Sequence, residues 1–276
     1  MNTRVATAER STLTLPTLGL RQGQTELKQF LRSREQVVFT LAFPVLMVVI
    51  FGSIFTGELL SSGVKFSQYV VTGMIAASLL TTCFQVLAIQ IPIERDRGVL
   101  KRFRGTPMPR TVYFLGKILM ILVIAVAETI ILLAVAMPLV GVSLPTTAAD
   151  WLTFVWVSLL GITACTLCGI AFSSVARTGR SAPAVVTPVA LVLQFISGVF
   201  FVFTQLPTWM QQFAALFPLK WMCQGMRSVF LPDAFATQEP TGSWELGKVA
   251  LVLGAWCVGG LMLCLTTFRW TTKRDG

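Results

Sequence analysis

Six long apolar runs, at 37–56, 69–91, 112–137, 151–175, 183–203 and 246–268, constrain this chain more than any other feature. Crossing ~30 Å of hydrocarbon takes about 20 helical residues, and lipid leaves no water to satisfy a stray backbone polar group. The expected fold class is therefore an all-α integral membrane protein of six transmembrane helices. Composition agrees. Of 276 residues, 12% are charged, about half the roughly 25% of soluble domains. One membrane domain, 37–268, is expected between an N-terminal stretch, 1–36, and a short tail, 269–276. No repeat of 20 to 50 residues supports an inverted-repeat architecture.

The basic residues set the orientation. Arg4, Arg10, Arg21, Lys28, Arg32 and Arg34 precede the first run, and Arg95, Arg97, Lys101, Arg102, Arg104 and Arg110 follow the second. Arg177 and Arg180 follow the fourth; Arg269, Lys273 and Arg274 follow the sixth. The alternate connections hold only Lys65, Lys220 and Arg227. Seventeen against three places both termini in the cytoplasm of a multi-pass cell-membrane protein. A net charge of +10 would suggest nucleic acid in a soluble protein. Here the bases sit between apolar runs as topology signals, and no nucleic-acid partner is expected. Residues 1–16 are polar and lack the apolar stretch of a secretory signal, so they read as a cytoplasmic tail.

Residues 18–34 suit an amphipathic helix on the membrane surface. Leu20, Leu27, Phe30 and Leu31 can share one face, surrounded by Arg21, Lys28, Arg32 and Arg34. Pro44, Pro183 and Pro188 lie within or near the ends of spans, where neighbouring helices tolerate them. The chain has six cysteines and no histidine. Cys83, Cys165, Cys168, Cys257 and Cys264 fall in apolar runs and Cys223 in a loop; no metal and no disulfide are expected. Trp151, Trp209, Trp221 and Trp244 are expected to anchor at interfaces.

Glu128 is the one carboxylate deep in a run, and an ionisable group there is a functional candidate by default. A structural hydrogen bond, a substrate or gate contact and a proton relay all remain open for it. Phe39, Phe43, Phe195, Phe200, Phe201 and Phe203 enrich the first and fifth runs in aromatics, beside Gln194 and Ser197. They offer an amphiphilic substrate stacking and apolar surface, with helix packing or lipid contact as the plainer alternative.

The connection at 92–111 is longer than a connector needs. It mixes acids with bases and ends in a Pro-rich turn, as a docking surface for a soluble partner would; a plain basic connector is the alternative. Its residues Glu94, Arg95, Asp96, Gly98, Leu100, Lys101 and Arg102 precede Thr106-Pro107, and the next span begins near Gly116-Lys117. Further on, Ser197-Gly198-Val199-Phe200-Phe201 is followed by Leu206-Pro207 and Phe217-Pro218-Leu219, then Arg227. In these motifs, and in span count and loop lengths, the chain resembles the ABC-2 type permease family, and within it the daunorubicin-resistance type.

The resemblance implies the membrane half of an exporter. Two permease copies, as a homodimer or with a related permease, would work with two copies of a separate ABC ATPase. Segment 92–111 would be a cytoplasmic coupling helix, with Glu94, Arg95, Asp96, Arg97, Gly98, Leu100, Lys101 and Arg102 as the ATPase contact. The N-terminal amphipathic helix would be a connecting helix, and 204–245 would hold extracellular re-entrant helices, with Pro207, Pro218 and Arg227 at the gate. The first and fifth spans would line the pathway, giving Phe39, Phe43, Gln194, Phe195, Ser197 and Phe200 as candidates, with Glu128 of the third span added on its own chemistry. The sequence contains no G-x-x-x-x-G-K-[ST] phosphate loop, so ATP and Mg belong on the partner ATPase and this chain is not itself an enzyme. The expected cargo is hydrophobic or amphipathic: a drug, an antibiotic or a lipid-like compound. Export of a lipid-linked polysaccharide is the alternative within the class. A proton-coupled transporter using Glu128 and a non-transporting scaffold are alternatives outside it.

Overall fold

Where the apolar runs fold, local chemistry decides how far each helix extends. The computed structural model describes residues 14–55, 58–59, 63–106 and 108–268. The readings of Arg4, Arg10, Pro107 and residues 269–276 fall outside the described residues. Helix α1, Leu15–Arg32, precedes α2, Arg34–Ile54. A minimal ribbon, β1 (Glu58–Leu59) antiparallel to β2 (Val64–Lys65), leads into α3, Phe66–Leu80. One π-helical turn, Thr81–Gln85, joins α3 to α4, Val86–Asp96, making a single rod of 31 residues. Then come α5 (Val99–Arg104), α6 (Arg110–Val140), α7 (Ala148–Phe172), α8 (Ala182–Ile196), α9 (Thr208–Ala214), α10 (Pro218–Phe230) and α11 (Leu246–Thr267).

Among the described residues, five helices are long and apolar enough to cross a membrane: α2, the α3–α4 rod, α6, α7 and α11. The fifth expected span differs. Helix α8 has 15 residues and stops at Ile196, where the run 183–203 reads on. At 1.5 Å per residue that is about 22 Å, short of the ~30 Å of hydrocarbon. Gly198 ends it. Its φ is +75°, and a Cβ there would lie 2.9 Å from Cβ of Phe203. Only glycine can make this turn, which folds residues 199–203 back onto the bundle.

The rod is the centre of the bundle, and α3 is buried along nearly its whole length. Helices α2 and α6 pack on one side of it, α7 and α10 on the other, and α11 covers α7 and α10. Helix α10 carries Cys223, expected in a loop, and is itself buried between α3, α7 and α11. Its first residue, Pro218, shares a cavity wall with Cys168 and Phe172, late in α7. Its last, Phe230, meets Phe154 near the start of α7, 5.6 Å between ring centroids. The α9–α10 hairpin therefore reaches deep into the bundle and returns. Trp221, expected at an interface, is buried instead and braces the bend by donating its indole N–H to the Ala215 carbonyl at 2.8 Å.

Of the apolar face read for α1, Phe30 is buried and Leu27 packs against the core. Gly19, Gly23, Glu26 and Phe30 form the stripe against α6, while Leu20 and Leu31 are exposed. A Cβ on Gly23 would sit 3.0 Å from Cβ of Leu119, and one on Gly116 only 2.4 Å from Cγ of Gln22. The two helices touch backbone to backbone. The exposed leucines flank the contact beside Arg21, Lys28 and Arg32, as on an interfacial helix with apolar and basic faces.

Candidate functional site

Two features concentrate chemistry in this fold: a polar knot at the end carrying α5, and an apolar groove that begins beside it.

The knot is built around Lys117, which is fully buried in the first third of α6. Its ammonium is 2.7 Å from Glu26 of α1 and is also paired with Glu94 of α4. The Tyr113 hydroxyl donates to the second oxygen of Glu94 at 2.8 Å, and the Gln22 amide donates to Glu26 at 3.0 Å. Three helices that no apolar pattern relates are thereby tied at one point. Next to it, Arg95 is buried and donates to the Ala176 carbonyl at 2.7 Å, while Asp96 accepts from the backbone N–H of Gly179. These two bonds fasten the end of the rod to the turn between α7 and α8.

Of the residues expected to meet a soluble partner, Glu94, Arg95 and Asp96 are thus engaged inside the chain. Arg97, Lys101 and Arg102 are exposed at the surface, joined there by Arg104. Gly98, with φ +72°, turns the chain between the rod and α5, and Leu100 pins α5 by full burial. The arrangement is a short basic helix held on a rigid rod. The exposed bases of α1, α5 and the α7–α8 turn gather at this one end, and Lys220 and Arg227 lie in the hairpin.

The groove, about 530 Å³, lies between α2, the rod and α8. Phe39, Phe43, Gln194 and Phe200, four of the expected pathway residues, line it together. It runs from Ile93, one residue from the knot, up to Phe200. Beside Gln194, its polar groups come from residues that sequence reasoning did not single out: Gln36, Thr40, Ser78, Thr81, Gln85, Gln90 and Thr187. Two hydrogen bonds cross it from the π turn to α8, Gln85 to Thr187 and Gln194 to Thr81, each 3.2 Å. π turns interrupt helices mostly at functional positions, and a polar residue in each of two separated spans gives no local signal of such a bridge. Phe39 and Phe43 are 73% and 54% exposed, so the groove opens sideways onto the lipid-facing surface.

The other expected pathway residues lie elsewhere. Phe195 belongs to a neighbouring aromatic hollow with Phe51, Phe55, Phe66, Phe200 and Phe201. Ser197 is fully buried in the turn after α8. Glu128 is on the far side of the π turn, buried, accepting from the Thr82 hydroxyl, with its other oxygen unbonded among the described residues. Thr81 faces the groove and Thr82 faces the acid, so the π turn separates the two.

The expected gate residues are also apart. Pro207 caps α9 and Pro218 forms the deep tip of the hairpin, whereas Arg227 sits nine residues along α10. There it is 1% exposed, donates to the Gly198 carbonyl, lies 3.7 Å above the Tyr69 ring and 3.9 Å from Glu239. The Tyr69 hydroxyl in turn accepts the Phe203 N–H at 3.0 Å. Backbone groups freed where α8 ends are thus satisfied by side chains of α3 and α10.

No curated protein matches this chain. The model of the ABC-2 type transporter family does, over residues 23–231, from the middle of α1 through α10, taking in the knot, the groove and the hairpin. With that match over roughly three quarters of its length, the chain belongs to the ABC-2 type transporter family and is a membrane permease of an ABC transporter, the transport subunit and not the ATPase.

Proposed function

We propose that this permease exports a hydrophobic or amphipathic molecule, drug-like or lipid-like, from the cytoplasm or inner leaflet, driven by a separate ABC ATPase docked on α5. The observation that carries this reading is the continuity of one rod. The rod of residues 66–96 lines the groove from Met74 to Ile93 and ends in the knot that holds α5. A push on α5 would reach the groove through rigid helix, and ATP binding acts only if it favours one arrangement of that rod over another. The excess of exposed arginine and lysine at the α5 end supports a cytoplasmic face there. The α9–α10 hairpin would then be a re-entrant cap on the outside, with the buried Arg227 cluster holding it shut. The largely apolar, Phe-rich groove wall favours an amphiphile over a polysaccharide. Helix α2 buries little more than Pro44 and Val48 within the chain, which suits a second permease copy, identical or related, closing the groove.

The test is to purify the permease from its host membranes with the ATPase that accompanies it, reconstitute both, and follow accumulation of a fluorescent amphiphilic dye. Uptake is expected to need ATP hydrolysis and to fall severalfold in Phe39→Ala/Phe43→Ala. Uptake driven by a proton gradient without ATP would overturn the proposal.

A further inference from the structure

Helix α8 has two working faces. Thr187, Leu191 and Gln194 look into the groove, whereas Val189 and Leu193, half a turn away, wall a second cavity of about 360 Å³. This crevice lies between the rod, α7, α8 and α11. One end is bounded by the tip of the hairpin, Phe217 and Pro218, and Phe217 is stacked on Trp256 of α11 at 6.1 Å between centroids. Its outer mouth is formed by Ser174, Val175 and Thr267.

The hydroxyls and the indole of the lining are already spoken for. Trp256 N–H donates to the Leu216 carbonyl at 2.8 Å, Ser174 to Ala171 at 2.7 Å and Thr267 to Leu263 at 2.6 Å. The crevice therefore offers little to water or to a polar ligand. Apolar cavities stay dry and take up hydrocarbon when it is at hand, because empty walls forfeit dispersion contacts. Hydrocarbon is at hand: Val175 and Val189, on the rim, are 54% and 36% exposed on a surface that faces lipid. Charge appears at one end only. Arg177 and Arg180 are exposed on the turn just beyond the mouth, and the bonds from Arg95 and Asp96 hold that turn at the α5 end of the bundle.

We infer that this crevice binds an anionic diacyl phospholipid from the leaflet at the α5 end, one acyl chain reaching inward to Phe217 and Pro218 and the phosphate lying between Arg177 and Arg180. Basic groups at the membrane surface select anionic headgroups, and the apolar walls select a tail. The lipid would brace the hairpin tip from below. This site is separate from the groove and holds whatever the cargo is.

The experiment uses the full-length permease in nanodiscs, doped with phosphatidylglycerol or phosphatidylcholine carrying a diazirine far along one acyl chain. After irradiation, adducts are mapped by mass spectrometry. Phosphatidylglycerol is expected to label Phe217 and its crevice neighbours roughly tenfold more than phosphatidylcholine, the order of preference two surface arginines supply. Arg177→Glu/Arg180→Glu should remove that preference. Val189→Trp, which fills the crevice from a partly exposed position, should remove the crevice adducts and leave those on outer faces. Equal labelling by the two lipids, adducts scattered evenly over the apolar surface, or a headgroup preference without crevice adducts would each overturn the inference.

Discussion

Lys117 shows what one buried charge asks of its neighbours. It sits with two carboxylates, Glu26 and Glu94, and Tyr113 and Gln22 supply the remaining donors. Removing the cation strands two acids in a low-dielectric site, a loss of about 3–5 kcal/mol for a broken buried pair. Lys117→Met should therefore lower the melting temperature in detergent far more than Glu26→Gln, which leaves Glu94 to pair with the lysine; equal losses would mean that the knot carries little. Glu128 is a different case. Glu128→Gln keeps an oxygen for Thr82 to donate to and should leave folded yield unchanged, whereas Glu128→Ala opens a cavity and should reduce it by the few kcal/mol typical of such truncations. The knot was not legible in the sequence. Glu26 and Lys117 are 91 residues apart, and a lysine near the start of a span carries no local sign of its partners.

At the level of elements, five of the six expected spans could be read directly because a continuous apolar run has few other ways to fold. The sixth misled for a nameable reason. Phe200, Phe201 and Val202 keep hydropathy high past Gly198, so the run outlasts the helix. The rod misled in the opposite sense: charges at 94–96 resemble a loop, yet the helix continues through them because Lys117, Ala176 and Gly179 meet them inside the bundle. On α1, counting leucines missed a contact made by glycines. Two outcomes follow. Gly98→Val, forced into a left-handed backbone that costs about 1–2 kcal/mol, should misplace α5 and reduce copurification of the ATPase while the spans keep their stability. Gly23→Leu should lift α1 from α6, read as faster hydrogen exchange and protease cleavage near Ser33.

For the molecule as a whole, the groove is open along its lipid-facing side, and on the proposed reading its missing wall comes from outside the chain. If a second copy supplies it, a single cysteine at Phe39 in an otherwise cysteine-free protein should crosslink to its twin with a short bis-maleimide in native membranes. Absence of a crosslinked pair there would move the partner surface elsewhere. Finally, the early stop of α8 leaves a helix of about 22 Å among span-length neighbours that exceed about 30 Å. A helix shorter than the hydrocarbon around it is matched by local thinning of the bilayer, at a modest energetic toll that grows with membrane thickness. On the proposed reading, a molecule climbing the groove would therefore leave the hydrocarbon sooner beside α8 than beside the longer helices.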